Sequence, residues 1–214
     1  MTRTDPTSAT GGERAAIRSQ MRELRRRIDS TTRSKAEASA CSHLVEALGP
    51  IRSSTGPLRL GIYLPVDGEI SPLPALGDLT SAGWSTWLPV IGNSGSMRFR
   101  LWSEGDELAT NRFGIGEPLP ESPALDAGAL TAIVVPCVAV DPSGARVGMG
   151  AGYYDRALAS ENTSRTAPLL IGFAFEFQVV QRIESAAWDV PMELIITDKI
   201  TRTAHAGAGR DQAD

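Results

Sequence analysis

Residues 144–156 read GARVGMGAGYYDR, with glycines at 144, 148, 150 and 152, Arg146 between the first two and Asp155 close behind the last. Glycine admits positive φ and lets a ligand approach bare backbone, and exposed N–H groups running into a helix N-terminus cradle phosphate oxygens. An arginine there supplies charge and a planar fork, and a nearby aspartate can carry Mg²⁺ against the same phosphates. The chemistry indicated is the handling of a phosphate group. Glycine spacing alone fits equally a tight, mobile strand-to-helix connection without a ligand. No Lys-Ser or Lys-Thr follows the last glycine, so this is not a Walker A loop, and the spacing is not the dinucleotide GxGxxG pattern.

The other reactive residue types narrow the choice. The two histidines, His43 and His205, suggest no Ser-His-Asp or Cys-His arrangement and are read as bystanders. Cys41 and Cys137 form no CxxC pair and have no neighbouring histidine, so they are read as buried, inert thiols. A formal net charge of −4 over 214 residues argues against nucleic-acid binding. No stretch approaches the roughly 18 apolar residues of a membrane span, and the N-terminal MTRTDPTSATGGE lacks an apolar signal region. A cytoplasmic protein acting on small molecules is expected.

These residues need a scaffold. Residues 1–12 and 203–214 are small, polar and glycine-rich and are expected to be disordered tails around one folded domain at 13–202. From Glu13 to Asp29, Ile17, Met21, Leu24 and Ile28 recur at helical spacing. A second helix is predicted from about Ser34 to Leu48, stopped by Gly49-Pro50. The segments LRLGIYLP, WSTWLPVI, MRFRLW, AIVVPCVAV, LLIGFAFEF and LIITDKI read as strands, with short helices near 72–82 and 153–160. Interleaved strands and helices predict an α/β sheet, with AIVVPCVAV and LLIGFAF central because they are apolar on both faces. Ligands of such sheets collect at the strand C-terminal ends, where the glycine stretch lies.

Several blocks together resemble one family. Residues 146–155 match an RxGxGxGYYD signature, RAAIR at 14–18 a basic N-terminal helix, YLPVDGEIS at 63–71 a glutamate loop, and FGIGEP at 113–118 an aromatic-Gly-Ile-x-Glu-Pro element. With VVPCVAVDPSGARVGMGAGYYDR, IGFAFEFQ and AWDVPMELIITDK in the same order, the chain from about 13 to 200 resembles the 5-formyltetrahydrofolate cyclo-ligase (5,10-methenyltetrahydrofolate synthetase) family. The resemblance implies an α/β fold: a single three-layer domain with N-terminal helices and a twisted mixed sheet, Rossmann-like and of the NagB/RpiA/CoA-transferase-like type. It also implies ATP- and Mg²⁺-dependent closure of 5-formyltetrahydrofolate to 5,10-methenyltetrahydrofolate with release of ADP and phosphate, by a protein that is commonly monomeric.

Residue by residue, the resemblance places Arg14 and Arg18 on ATP, with Arg146, Val147, Gly148, Met149, Gly150, Ala151, Gly152, Tyr153 and Tyr154 around the phosphates. Arg146 and Tyr154 would act in catalysis. Glu69, Leu64 or Tyr63, Phe113, Gly150, Gly152 and Tyr154 would contact the folate, Asp155 and Asp189 would hold Mg²⁺, and Glu176 and Gln178 would support the site. Read without the resemblance, Arg14 and Arg18 are equally a solvated basic face, Tyr154 core, and Asp189 a turn residue. Arg14 stands where the family usually has lysine, Met149 and Ala151 where it often has glycine or larger polar residues, and Trp188 where a histidine often precedes the aspartate. These departures leave a non-catalytic folate- or nucleotide-binding paralogue on the same fold as the alternative.

Overall fold

The computed structural model describes residues 6–51, 56–92, 95–159 and 167–205. Helix α1 spans Pro6–Arg27 and α2 Ser30–Leu48. Strand β1 (Leu58–Gly61) is followed by a 3₁₀ turn and α3 (Leu76–Ser81), then β2 (Trp84–Ile91) and β3 (Met97–Leu101). Short strands β4 (Leu108–Thr110), β5 (Gly116–Pro118) and β6 (Ala124–Leu125) lead to β7 (Ala132–Pro136). Strands β8 (Ala139–Val140) and β9 (Arg146–Val147) precede α4 (Tyr153–Ala159), β10 (Leu169–Phe173), β11 (Leu194–Ile196) and β12 (Thr201–Thr203).

Eight strands form the main sheet in the order β12-β11-β10-β7-β1-β2-β3-β6. The pairings β1–β2, β1–β7, β7–β10 and β10–β11 are parallel, and the outer ones are antiparallel. The chain leaves β1 toward β2 and later returns to lay β7 on its other side. The strand order therefore reverses between β1 and β7, where open α/β sheets bind ligands.

Layering follows from side-chain alternation. In β7, Ala132 and Val134 join the core under α2 and α3 with Leu44, Leu48, Leu60 and Phe173, whereas Ile133 and Val135 join the opposite core with Phe99, Leu158 and Met192. A strand apolar at every position thus serves both faces. Helix α1 lies apart, with Ile17, Met21 and Leu24 against Val138, Ala139, Ala145, Val147 and Ile183 of the β8–β9 hairpin region. Among the described residues, no helix is long and apolar enough to cross a membrane.

Several boundaries differ from the sequence reading. Helix α1 begins at Pro6, so residues 6–12 are helical rather than part of a tail. Proline suits a first helical position because its missing N–H would have no partner there. Residues 1–5 lie outside those described. At the other end Ala204 and His205 donate backbone N–H groups to Glu193 and Pro142, extending the folded unit to 205; residues 206–214 lie outside the description. Helix α2 starts four residues early because Asp29 caps it, accepting from Thr32 N at 3.0 Å. AIVVPCVAV is two strands, since β7 ends at Pro136, which has no N–H for a ladder. LIITDKI turns back at Asp198-Lys199, giving the antiparallel edge strand β12.

Candidate functional site

The glycine stretch leaves the β8–β9 hairpin, and the hairpin fixes its origin. A Cβ on Gly144 would lie 2.1 Å from the Met192 carbonyl oxygen, at φ +87°, so only glycine fits. Asp141 stitches the same turn: Oδ1 accepts from Ser143 N and Ala145 N, and Oδ2 from Ile183 N. Beyond it Gly148 is open, while Gly150 (φ +105°) and Gly152 (φ +66°) carry the chain into α4. A Cβ on Gly150 would sit 3.5 Å from the Arg18 guanidinium carbon.

Arg18 brings α1 onto this loop, donating from Nε to the Gly148 carbonyl at 2.8 Å. Arg14, Arg18, Arg22 and Arg25 fall on one helical face. Arg14 donates to the Glu184 carbonyl at 2.7 Å and pairs with Asp189. Arg22 pairs with Asp67 at 2.7 Å and reaches Met149 Sδ at 3.8 Å. Burial, then the neighbouring Arg14 and Arg22 charges, lowers the Arg18 pKa. A cation disfavoured by burial and by like charges is stabilised by an arriving anion. The solvated-face reading of Arg14 and Arg18 is thereby replaced: Arg18 engages the glycine loop and Arg14 the Asp189 segment.

Glu69 lies at the end of a turn after β1 in which Asp67 (φ +49°) and Gly68 (φ +72°) are left-handed. Its Oε2 accepts from Val66 N at 3.1 Å. Burial pushes its carboxyl up to about 7, against the lowering effects of the Val66 N–H and the Arg25 charge. Tyr63 is buried and donates to the Ile70 carbonyl at 2.6 Å. The Tyr154 phenol is pushed up by burial and then by Glu69, with Arg146 opposing, so Tyr154 stands between the glutamate and the arginine electrostatically. Its ring also packs against the core, as the reading without the resemblance has it. Cys137 shares the neighbourhood, and burial pushes its thiol up to about 12.

Phe113 is half-exposed and meets Tyr153 edge-on, with ring centroids 6.0 Å apart. Asn111 and Glu117 hold it there: Asn111 Oδ1 accepts from Phe113 N, and Glu117 Oε1 accepts from Asn111 and from Ile91 N of β2. Leu64 packs toward Gly116 of the same element. Gln178 is buried and donates to the Cys137 and Val138 carbonyls at 2.8 and 2.7 Å, fixing the exit of β7. Glu176 turns instead to Arg202 and Thr197, tying down the C-terminal strands.

Arg146 is buried, donating to the Val190 carbonyl and, at 2.6 Å, to Asp155 Oδ1. Val190 N donates to the same Asp155 oxygen at 3.2 Å. Asp189 Oδ2 accepts from Ala186 N at 2.9 Å as well as from Arg14. Asp155 and Asp189 therefore flank Val190, each with its other oxygen free of hydrogen bonds among the described residues. No group of three or more potential metal ligands occurs among the described residues. Mg²⁺ is commonly held by one or two carboxylates completed by substrate phosphates, and this donor set fits that mode.

The structure thus assembles Arg14, Arg18, Arg146, the 148–152 loop, Tyr153, Tyr154, Asp155 and Asp189 at one end, with Tyr63, Leu64, Glu69 and Phe113 beside it. Sequence reasoning missed Arg22, Arg25, Asp67 and Asp141. Asp141-Pro-Ser-Gly carried a legible turn signal; the others depend on tertiary partners.

Comparisons with known proteins bear on the family and the fold. The chain is 33% identical over 141 residues to the 5-formyltetrahydrofolate cyclo-ligase of Escherichia coli, covering 64% of this chain and 76% of the relative. It is 28% identical over 183 residues to that of Haemophilus influenzae, covering 84% and 95%. The NMR structure of Aquifex aeolicus 5,10-methenyltetrahydrofolate synthetase superposes with a TM-score of 0.71 at 25% identity, covering 93% of this chain and 96% of that one. A Mycoplasma pneumoniae 5,10-methenyltetrahydrofolate synthetase, at 22% identity and TM-score 0.69 over 86% and 98% of the two chains, shares the fold. The sequence model of the 5-formyltetrahydrofolate cyclo-ligase family matches residues 10–198, and the chain belongs to that family.

Proposed function

We propose that the chain cyclises 5-formyltetrahydrofolate to 5,10-methenyltetrahydrofolate at the expense of ATP, releasing ADP and phosphate. The observation that carries this reading is the reach of helix α1: Arg18 clasps the glycine loop at Gly148, and Arg22, one turn on, pairs with Asp67 in the turn that carries Glu69. A loop suited to phosphate and a buried carboxylate are thus held by one helix, as a phosphoryl transfer from a nucleotide to a pterin-borne formyl group requires.

In the proposed reaction the formyl oxygen attacks the γ-phosphorus and ADP leaves; N10 then attacks the formyl carbon, its proton is lost, and phosphate departs with the oxygen. The protein's task is positioning and charge stabilisation, and no nucleophile is needed. Arg14, Arg18 and the backbone of Val147 to Tyr153, Met149 and Ala151 included, would hold the triphosphate, with Arg146 a fixed positive charge beneath it. Asp155 and Asp189 would hold Mg²⁺, which neutralises phosphate charge when bound. Glu69 would accept the adjacent ring N–H and amino hydrogens of the pterin, with Leu64, Phe113, Gly150, Gly152 and Tyr154 around the folate.

A spectrophotometric assay of methenyltetrahydrofolate formation, with and without ATP and with chelator, tests this directly. Product that requires both ATP and Mg²⁺ is expected. Saturable folate or nucleotide binding with no turnover would overturn the catalytic reading in favour of a binding protein on the same fold.

A further inference from the structure

Arg25 is fully buried, yet its Nε, Nη1 and Nη2 have no hydrogen-bond partner among the described residues. Its Nη2 lies 3.8 Å from Asp67 Oδ2, too far for a hydrogen bond. Its Cβ is 3.5 Å from where a side chain on Gly68 would begin, so it sits against the turn that joins Asp67 to Glu69. Arg33 of α2 holds the pieces in register, donating to the Arg25 carbonyl at 2.9 Å and to the Gly68 carbonyl at 3.0 Å.

Asp67 is the ion-pair partner of Arg25 at 3.8 Å, but the same oxygen is held closer by Arg22, at 2.7 Å, so Arg25 is left a buried cation with a shared counter-ion and no hydrogen bond, which costs stability. What remains is its field. The groups around Glu69 are Asp67 in its own turn, Tyr63 after β1, Cys137 after β7, Tyr154 of α4 and Arg25 of α1. The tyrosines and the thiol are neutral, Asp67 repels, and Arg33 reaches only the Glu69 backbone, at 3.4 Å. Arg25 is the cation whose charge lowers the Glu69 carboxyl, and its Cβ lies against the Gly68 turn that carries it.

We propose that Arg25 is a positioning residue for the folate half of the reaction: it supplies, from inside the protein, the counter-charge that lets Glu69 present an anionic acceptor to the pterin. The inference rests on the proposed function for the identity of the ligand. The arrangement trades stability for recognition, which separates it from a packing role.

The test compares Arg25→Met and Arg25→Lys with the wild-type chain by ¹³C-carboxyl NMR titration of Glu69, assigned with Glu69→Gln, and by the pH dependence of KM for 5-formyltetrahydrofolate. Glu69 is expected to titrate near 7 in the wild type. In Arg25→Met its midpoint should move upward by about one pH unit or more. KM for the folate should then rise roughly tenfold at neutral pH and recover toward the wild-type value in alkaline buffer, with kcat and KM for ATP little changed. Arg25→Lys should restore most of the effect, and Arg25→Met should unfold no more easily than wild type. An unmoved Glu69 midpoint, or a uniform loss of kcat and affinity at every pH, overturns the proposal. If the wild-type chain forms no methenyltetrahydrofolate, the functional reading falls, while the apo-protein titration still decides the role of Arg25.

Discussion

Arg146 and Asp155 form an ion pair of 2.6 Å in which the arginine is almost fully enclosed and the aspartate oxygen also accepts from Val190 N. The residue read from the sequence as a metal ligand is therefore first the counter-ion of a buried cation. Any function it has toward Mg²⁺ is superimposed on a structural one.

Replacing Asp155 by alanine accordingly does two things at once. It strands the Arg146 charge, and the loss should be about 2 kcal/mol of stability, below the figure for a fully buried pair because Asp155 is partly exposed. Asp155→Asn keeps an acceptor facing Arg146 and should be milder in urea unfolding while still weakening activation by Mg²⁺. Equal unfolding midpoints for wild type and Asp155→Ala would show the pair contributes nothing net.

The glycines divide by what surrounds them. Gly148→Ala meets nothing within 4 Å and needs no positive φ, so stability should change by less than about 0.5 kcal/mol. Gly150→Ala must adopt φ +105° against Arg18 and should cost on the order of 1–3 kcal/mol. Gly144→Ala drives a methyl into the Met192 carbonyl and should exceed about 4 kcal/mol or prevent folding. Urea midpoints falling in another order would contradict this geometry.

Glu69 makes stability depend on pH with a definite sign. Its carboxyl is raised from the ordinary 4.5 to about 7, so between those values the native chain binds a proton that the unfolded chain has released. This contribution is complete below pH 4.5 and is lost as pH rises through about 7. Glu69→Gln removes the dependence. Relative to wild type it should gain stability from pH 5 upward, reaching about 3 kcal/mol near pH 8, and lose affinity for reduced folate. A difference that is flat with pH would mean Glu69 titrates normally.

Much of the scaffold is legible because it is local. WSTWLPVI is β2 over its whole length, and the continuous apolar run beginning at Ala132 becomes a central strand covered on both faces. The glycine stretch announces its loop because few other purposes need so many backbone-permissive positions together. What the sequence hides is partnership. Arg25, Arg26 and Arg27 are indistinguishable as letters, yet their side chains are 0%, 72% and 71% exposed. Asp67 looks like an ordinary turn residue and is instead the shared partner of Arg22, Arg25 and Arg26. The arginines that claim Asp155 and Asp189 lie 9 and 175 residues away, beyond any local pattern.

Helix α1 touches both halves of the site through charge: Arg14 at Asp189, Arg18 at Gly148 and Arg22 at Asp67. Among the described residues its apolar footing is Ile17, Met21 and Leu24. Ionic strength thus acts on this chain as a mechanical variable. At about 1 M salt, screening shortens to about 3 Å, and the partly exposed clasps weaken while the sheet, held by apolar burial, does not. Salt inhibition would then be the loosening of one strut common to the proposed nucleotide and folate regions, weakening the hold on the uncharged pterin ring together with that on the polyanionic nucleotide.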